Sequence, residues 1–225
     1  MRLTIYGRPV VLKALILTLL LDIAAFLVPV LFIKLILLVL SVLLFGFTLY
    51  FFRDPIRQLP ADISANDIIS PADGKVFIID ETTDDIFLKS RAKIVAIFLS
   101  PLDVHVNRIP ISGKIDYYSY VKGGFTAAFR SSSENNERTN IGISSGRDKI
   151  LIKQIAGFIA RRIVCNLKQG ANVQVGEKFG MIRFGSRMDL IMPLDTEIKV
   201  KLNQKVTAGE TIIGSFSPPS KGAGG

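Results

Sequence analysis

From Val10 to Phe52 apolar residues follow one another with few interruptions, whereas from Asn66 onward the chain breaks into short apolar runs punctuated by Gly, Pro and Asp. The first pattern is that of membrane segments. The run LKALILTLLLDIAAFLVPVLFIKLILLVLSVLLFGFTLYFFRDP is too long for a signal peptide, has no small-residue cleavage site and outlasts a single span. It divides near Pro29 and Lys34 into segments from about Val11 to Phe32 and about Leu35 to Phe52. Each approaches the ~20 residues that cross a ~30 Å hydrocarbon core. Arg2, Arg8 and Lys13 precede the pair and Arg53 and Arg57 follow it, with Lys34 alone at the connecting turn. That asymmetry predicts a helical hairpin with both termini in the cytoplasm. A re-entrant or interfacial hairpin accounts for the same pattern. Asp22 is costly against lipid, so it is expected to pair within a bundle or to mark a shallow insertion.

The second pattern is that of strands. GKVFIID, KIVAIFLS, GKIDYYSYV, DKILIKQIAGFIARRIVCNL, DLIMP and TEIKVKL are rich in β-branched residues and partly alternate with period two. QIAGFIARRI reads as an amphipathic helix or as a strand pair, the latter favoured by Gly157 and its β-branched neighbours. NVQVGEKFGMIRFGS from Asn172 and NQKVTAGETIIGSFS from Asn203 resemble each other, each a strand, a Gly-Glu turn and a second strand. The predicted architecture is mostly β: antiparallel sheets in a β-sandwich-like catalytic domain, residues 58–225, behind an N-terminal α-helical membrane hairpin with its flanks, residues 1–57.

Composition sharpens this picture in three places. Of the formal net charge of +9, the first 57 residues hold +4, from six Lys/Arg and two Asp/Glu, so the body carries only a modest basic excess. No helix-turn-helix, zinc-finger spacing or RNA-binding aromatic motif accompanies it, and lipid is a better partner than nucleic acid. One cysteine, Cys165, excludes an intrachain disulfide and reads as an inert thiol. One histidine, His105, excludes a multi-histidine metal centre, so no metal is expected and any imidazole chemistry belongs to that residue. Phosphate loops, dinucleotide fingerprints and zinc-protease helices are absent from the sequence.

The segment RFGSRMDL, Arg183 to Leu190, sets a Gly-Ser pair between strand-like runs. It is either an ordinary turn or a peptide bond on which the protein itself acts. Longer strings bear on the choice. FFRDPIR (51–57), SPADGKV (70–76), FLSPLDVHVNRIPISGKI (98–115), KGGFTAAF (122–129), NER (136–138), QIAGFIARRIV (154–164) and FGSRMDLIMP (184–193) occur in this order. Together they resemble the phosphatidylserine decarboxylases of the short, prokaryotic type, from about Phe51 to Phe216.

That resemblance implies a proenzyme that cuts itself between Gly185 and Ser186. Glycine leaves the preceding carbonyl open to the serine hydroxyl, whose attack passes through an oxyanion to an ester. β-Elimination then leaves dehydroalanine, which hydrolyses to ammonia and a pyruvoyl group, a covalent cofactor made from Ser186. Its ketone forms a Schiff base with the amine of phosphatidylserine and accepts the electrons released with carbon dioxide, giving phosphatidylethanolamine. The implied products are a β chain, 1–185, and an α chain, 186–225, folded together as a heterodimer or a higher homo-oligomer of it, at the cytoplasmic side of the cell membrane. An archaetidylserine decarboxylase shares this chemistry. A non-enzymatic, membrane-tethered β-sandwich adaptor is the rival from another class.

By the same resemblance Asp73, His105 and Ser186 form the self-cleavage set, the aspartate orienting the imidazole and the imidazole moving the proton. Arg108 stands where long-type members have a second histidine, which leaves His105 to serve cleavage, decarboxylation or both. Arg108 suits the lipid phosphate or the departing carboxylate, and Asn107, Arg138 and Arg53 are further substrate-binding candidates, with Arg161 and Arg162 behind them. A loop near Gly123 to Asn140 is expected to gate the lipid, and the tail SPPSKGAGG to be disordered.

Overall fold

A computed structural model describes residues 2–124, 136–146, 148–157, 163–182 and 186–217. The chain forms two compact units, Met1–Pro55 and Ile56–Gly225. The expected gate lies largely, and Arg161, Arg162, Gly185 and the tail's last eight residues lie wholly, outside the described residues.

In the first unit a 3-10 turn, Ile5–Gly7, leads into α1 (Arg8–Leu27), and α2 (Leu31–Phe51) runs back beside it. Pro9 sits in the first turn of α1, where its missing N–H costs nothing. Pro29 forces Val28 into an extended conformation and ends the helix. The break therefore falls at residues 28–30, ahead of Lys34, which belongs to the first turn of α2. The helices meet through small residues: Ala14, Thr18 and Ala25 on α1 and Ser41 and Thr48 on α2 are buried, and Ser41 Oγ donates to the Thr18 carbonyl at 3.4 Å. Most of the leucines, isoleucines and phenylalanines face outward. Close small-residue packing with an apolar exterior is the arrangement of helices solvated by lipid. Both helical stretches, Ile5–Leu27 and Leu31–Phe51, are long and apolar enough to cross a membrane. Their ends are tied together by Thr4 N–H donating to the Phe52 carbonyl (2.9 Å) and Asp54 N–H to the Arg2 carbonyl (2.8 Å).

The second unit holds fourteen strands among the described residues: β1 (Asp67–Ile69), β2 (Gly74–Asp84), β3 (Ser90–Leu99), β4 (Val106–Arg108), β5 (Gly113–Val121), β6 (Arg138–Ser145), β7 (Asp148–Ile155), β8 (Ile163–Cys165), β9 (Asn172–Val173), β10 (Lys178–Ile182), β11 (Ser186–Pro193), β12 (Glu197–Ile198), β13 (Lys205–Val206) and β14 (Ile212–Ser215). They pair antiparallel in one sheet of order β13-β2-β3-β11-β7-β6-β5-β9 and two small sheets, β1-β14-β12 and β4-β10-β8. QIAGFIARRI is thus strand at its start, where Gln154 and Ile155 end β7, and the chain is strand again at Ile163, where β8 begins.

The sheet orders reveal an internal two-fold repeat. Read from its two ends, the large sheet runs β13-β2-β3-β11 and β9-β5-β6-β7, and the small sheets correspond as β1-β14-β12 and β4-β10-β8. Matching residues make matching bonds. Gly74 pairs with Val206 as Gly113 pairs with Val173, and Arg108 N–H donates to the Pro71 carbonyl (2.9 Å) as Ile69 N–H donates to the Pro110 carbonyl (3.1 Å). One half, β4 to β10, is continuous in sequence. The other consists of β1 to β3 and β11 to β14, so the continuous half is inserted between β3 and β11. The outward crossing is residues 100–105; on the return, β10 ends at Ile182 and β11 begins at Ser186.

The core between the sheets is built from Ile97, Leu99, Ile109, Ile115, Ile141, Ile152, Phe179, Leu190 and their neighbours, all buried. Each such side chain contributes about 1.5–3 kcal/mol on leaving water. β11 is the central strand and is covered on both faces. Met188, Leu190 and Met192 enter this core, while Ile191 packs with Ala92 and Leu151 under Ile86, Phe87 and Leu88. That double burial explains why the strand ends in the continuous apolar run LIMP, Leu190 to Pro193, rather than in alternation.

Candidate active site

Ser186 opens β11 and pairs with Leu99, the last residue of β3. It shares the strand face of Met188 and Leu190, so its side chain enters the main core. It is fully buried, and its Oγ has no hydrogen-bond partner among the described residues. Most serines in turns cap a backbone amide or meet water. A buried hydroxyl without a partner costs about 1–3 kcal/mol, so a turn is a poor account of this residue.

His105 ends the outward crossing. Leu99 pairs with Ser186 and Val106 pairs with Met181. The crossing that starts after the partner of Ser186 thus ends at the sole imidazole. Asp103 shapes the crossing: its carboxylate accepts from Ser100 N–H at 2.7 Å, and its own N–H donates to the Ser100 carbonyl at 2.9 Å. The Asp103 carbonyl lies 2.9 Å from His105 Nδ1. A carbonyl can only accept, so Nδ1 carries the proton and Nε2 is the basic nitrogen of the neutral ring.

Asp73 was expected to supply that orientation. In the structure its Oδ2 accepts from Arg57 Nη2 at 2.6 Å and its Oδ1 from Ala208 N–H at 2.8 Å, while the described partner of His105 Nδ1 is a backbone carbonyl. Asp73 thus anchors Arg57, which also reaches Glu210 at 3.5 Å. Arg57, Leu59, Arg108, Val175, Gly176 and Gly209 line a cleft of about 220 Å³. Arg108 Nη1 donates to the Gly176 carbonyl at 2.9 Å. Gly176 (φ +82) and Gly209 (φ +80) are equivalent in the two repeated Gly-Glu turns, and a Cβ on Gly209 would stand 2.9 Å from Arg108 Cδ. Both turns require glycine for their left-handed backbone, and one also makes room for the guanidinium. Two arginines at one cleft suit a phosphate or carboxylate.

Asn107 and Gln154 are fully buried, and Gln154 Nε2 donates to Asn107 Oδ1 at 2.9 Å. Gln154 pairs with Met188 across β7 and β11 and so projects on the Ser186 face. Sequence reasoning missed it. The available signal was a Gln at an inward position, alternating with Ile150 and Ile152 along DKILIKQI.

Arg138 belongs elsewhere. Arg187 pairs with Ile155 and Ile155 with Arg138, so these three share the face opposite Ser186. There Arg138, Lys153, Arg187 and Asp189 line a second cleft of about 280 Å³ with Ile86, Ile94, Ile155 and Ile191. Arg187 Nε donates to Asp189 Oδ1 at 2.5 Å, and its guanidinium lies 5.3 Å from the Phe77 ring centre. Arg53 belongs to the hairpin unit, where its guanidinium stacks 3.8 Å from the centre of the Tyr50 ring. Cys165 is half-buried, and burial pushes its thiol up, as suits an unreactive cysteine. No His, Cys, Asp or Glu cluster able to hold a metal occurs among the described residues.

Comparisons with known proteins give the family. Residues 44–214 match the family model described as phosphatidylserine decarboxylase. A phosphatidylserine decarboxylase proenzyme of Prosthecochloris aestuarii is 46% identical over 209 residues, 92% of this chain and 94% of that protein. The proenzyme of Chlorobium phaeobacteroides (strain DSM 266 / SMG 266 / 2430) is 50% identical over 171 residues, 76% of this chain and 79% of its own. That of Salinibacter ruber is 46% identical over 179 residues, 79% of each. A match across most of both the hairpin and the β unit, including the stretches that hold His105 and Ser186, makes this chain a member of the phosphatidylserine decarboxylase family.

Proposed function

We propose that this chain is a self-cleaving decarboxylase of phosphatidylserine, releasing phosphatidylethanolamine at the cytoplasmic surface of a cell membrane. The observation that carries the reading is the Ser186 hydroxyl, buried and without a hydrogen-bond partner among the described residues, at the head of a central strand beside the crossing that holds the only histidine. The names of the relatives favour the diacyl substrate over archaetidylserine, and family membership sets the adaptor aside.

In the proposed processing step His105 Nε2 takes the Ser186 Oγ proton as the oxygen attacks the Gly185 carbonyl. The proton passes to the departing amide nitrogen, leaving Gly185 as an ester on Oγ. Elimination frees Gly185 as a carboxylate, and hydrolysis releases ammonia from residue 186. A buried hydroxyl without competing bonds fits this fate. The resulting pyruvoyl group would supply a ketone for the substrate amine and an electron sink for the carboxylate's departure. His105 is retained beside it to move protons, and Arg57 and Arg108 hold the lipid phosphate, with Asp73 fixing Arg57. The cut ends stay associated because residues 186–225 are woven into four strand pairings with the preceding part: β11 with β3 and β7, β13 with β2, and β14 with β1. The apolar hairpin keeps this unit at the bilayer.

Intact-mass analysis of the purified protein and of Ser186→Ala tests the proposal. The expected result is two fragments divided after Gly185, the smaller lighter by one ammonia than a serine-started chain, with the variant left whole. A folded wild-type chain that remains uncut overturns it.

A further inference from the structure

The interior near Ser186 contains more polar groups than self-cleavage uses. Asn107 and Gln154 are 0% exposed, and besides Ser186 Oγ, Asn107 Nδ2 and Gln154 Oε1 lack hydrogen-bond partners among the described residues. Each such group costs about 1–3 kcal/mol, and an apolar residue of similar size would fill either position without that cost. Buried polar atoms left open in this way point to a ligand that completes them.

The one bond between the two amides sets what they offer. Because Gln154 Nε2 donates to Asn107 Oδ1, Asn107 is left with its NH2 group and Gln154 with its carbonyl oxygen. The pair therefore presents one donor and one acceptor, both uncharged. Their placement is set by register. Gln154 is opposite Met188, the next residue after Ser186 on that face, and so is a diagonal neighbour of Ser186. Asn107 pairs with Gly180 on β10, the strand that leads into the cleavage segment.

We propose that Asn107 and Gln154 form the subsite for the amino-acid end of the lipid headgroup, Asn107 Nδ2 donating to its carboxylate and Gln154 Oε1 accepting from its amine. The proposal rests on the decarboxylase reading above. A neutral donor suits a carboxylate that must lose its charge as carbon dioxide leaves. A guanidinium would hold the ground state more strongly than the transition state and raise the barrier. Loss of the carboxylate also strands the Asn107 donor again, so the product is held less well than the substrate. The subsite thus discriminates a serine headgroup from an ethanolamine headgroup.

Full-length wild type, Asn107→Leu and Gln154→Met are compared in detergent-lipid micelles by three readouts. These are the fraction self-cleaved, KM and kcat for phosphatidylserine, and borohydride fixation of phosphatidylserine or phosphatidylethanolamine to the 186–225 fragment. Expected are complete cleavage and a raised KM in both variants, with a preference for fixing the serine lipid that falls about tenfold or more in Asn107→Leu, as a lost polar contact in a buried site predicts. Gln154→Met, which loses the contact to the amine both headgroups share, weakens fixation of both lipids together. An unchanged preference in Asn107→Leu, unimpaired fixation in Gln154→Met, or a block at cleavage in either overturns the subsite. If Asn107→Leu melts well below wild type, Asn107→Asp, which keeps the shape and the bond from Gln154 Nε2 but removes the donor, is judged by the same preference ratio. A wild-type chain that cleaves itself yet converts and fixes neither lipid defeats the decarboxylase reading instead, and the wild-type control separates the two failures.

Discussion

The two halves of the β unit share strand order and pairing but differ at one junction. In the continuous half β6 ends at Ser145 and β7 begins at Asp148, the two residues pair, and both are half-exposed. Gly146, at φ +60, lets that hairpin turn tightly. In the interrupted half the equivalent strands are β3 and β11, the equivalent pair is Leu99 and Ser186, and both residues are fully buried. The same junction is a solvent-facing hairpin where the chain closes directly. Where a second half is inserted, the equivalent strands end in a buried pair that carries a buried hydroxyl. A repeat with a broken symmetry thus supplies a position at which a serine leaves water while its backbone remains continuous.

The strongest test of that comparison is at the crossing itself. His105→Ala should slow self-cleavage by about 10²–10⁴-fold, the usual worth of a positioned base. Asp148→Ala, at the position equivalent to Ser186, should leave the rate unchanged in the same gel-based time course. Equal rates for His105→Ala and wild type would remove the crossing's chemical role.

A second difference concerns what holds each half together. Under the proposed cleavage the interrupted half would depend on non-covalent ties, and Asp67 of β1 is one: it accepts from Ser215 Oγ, from Lys199 Nζ at 3.0 Å and from Ser64 N–H at 2.8 Å. Its counterpart in the continuous half is Val106. Burial alone would raise the Asp67 carboxyl, but these hydrogen bonds outweigh it and hold the group well below the usual carboxylate range. A lowered folded-state value stabilises above the unfolded value of about 3.9 and is lost as pH falls below it. Asp67→Asn should therefore cost about 2 kcal/mol near neutral pH and flatten the acid side of a stability-versus-pH curve below about pH 5. Denaturant melts across that range check both.

A smaller effect distinguishes the repeated turns. Gly176→Ala and Gly209→Ala should each cost about 1 kcal/mol through their positive φ. Only Gly209→Ala pushes on the Arg108 side chain, so it alone should raise KM for phosphatidylserine. Least of all, Gly146→Ala, with open space around its Cβ, should cost up to about 1 kcal/mol without changing cleavage or KM.

Much of this protein is local physics and was legible in order. Apolar runs of the right length, split by Pro29, determined the helical hairpin, because lipid requires a continuous apolar, internally bonded segment. β-branched runs between Gly, Pro and Asp determined the antiparallel body, and the paired Gly-Glu turns marked equivalent positions in its two halves. The Gly-Ser pair, His105 and Arg108 stood out through their place in ordered motifs. Tertiary structure alone decided the rest. It set Leu99 beside Ser186 across a whole inserted half, moved Arg138 to the opposite face, gave Asp73 to Arg57, and joined Gln154 to Asn107. Such partners depend on sheet register between strands distant in sequence, and one residue of slip reverses every face. No local pattern carries that information, whereas closure of the two halves around one core does.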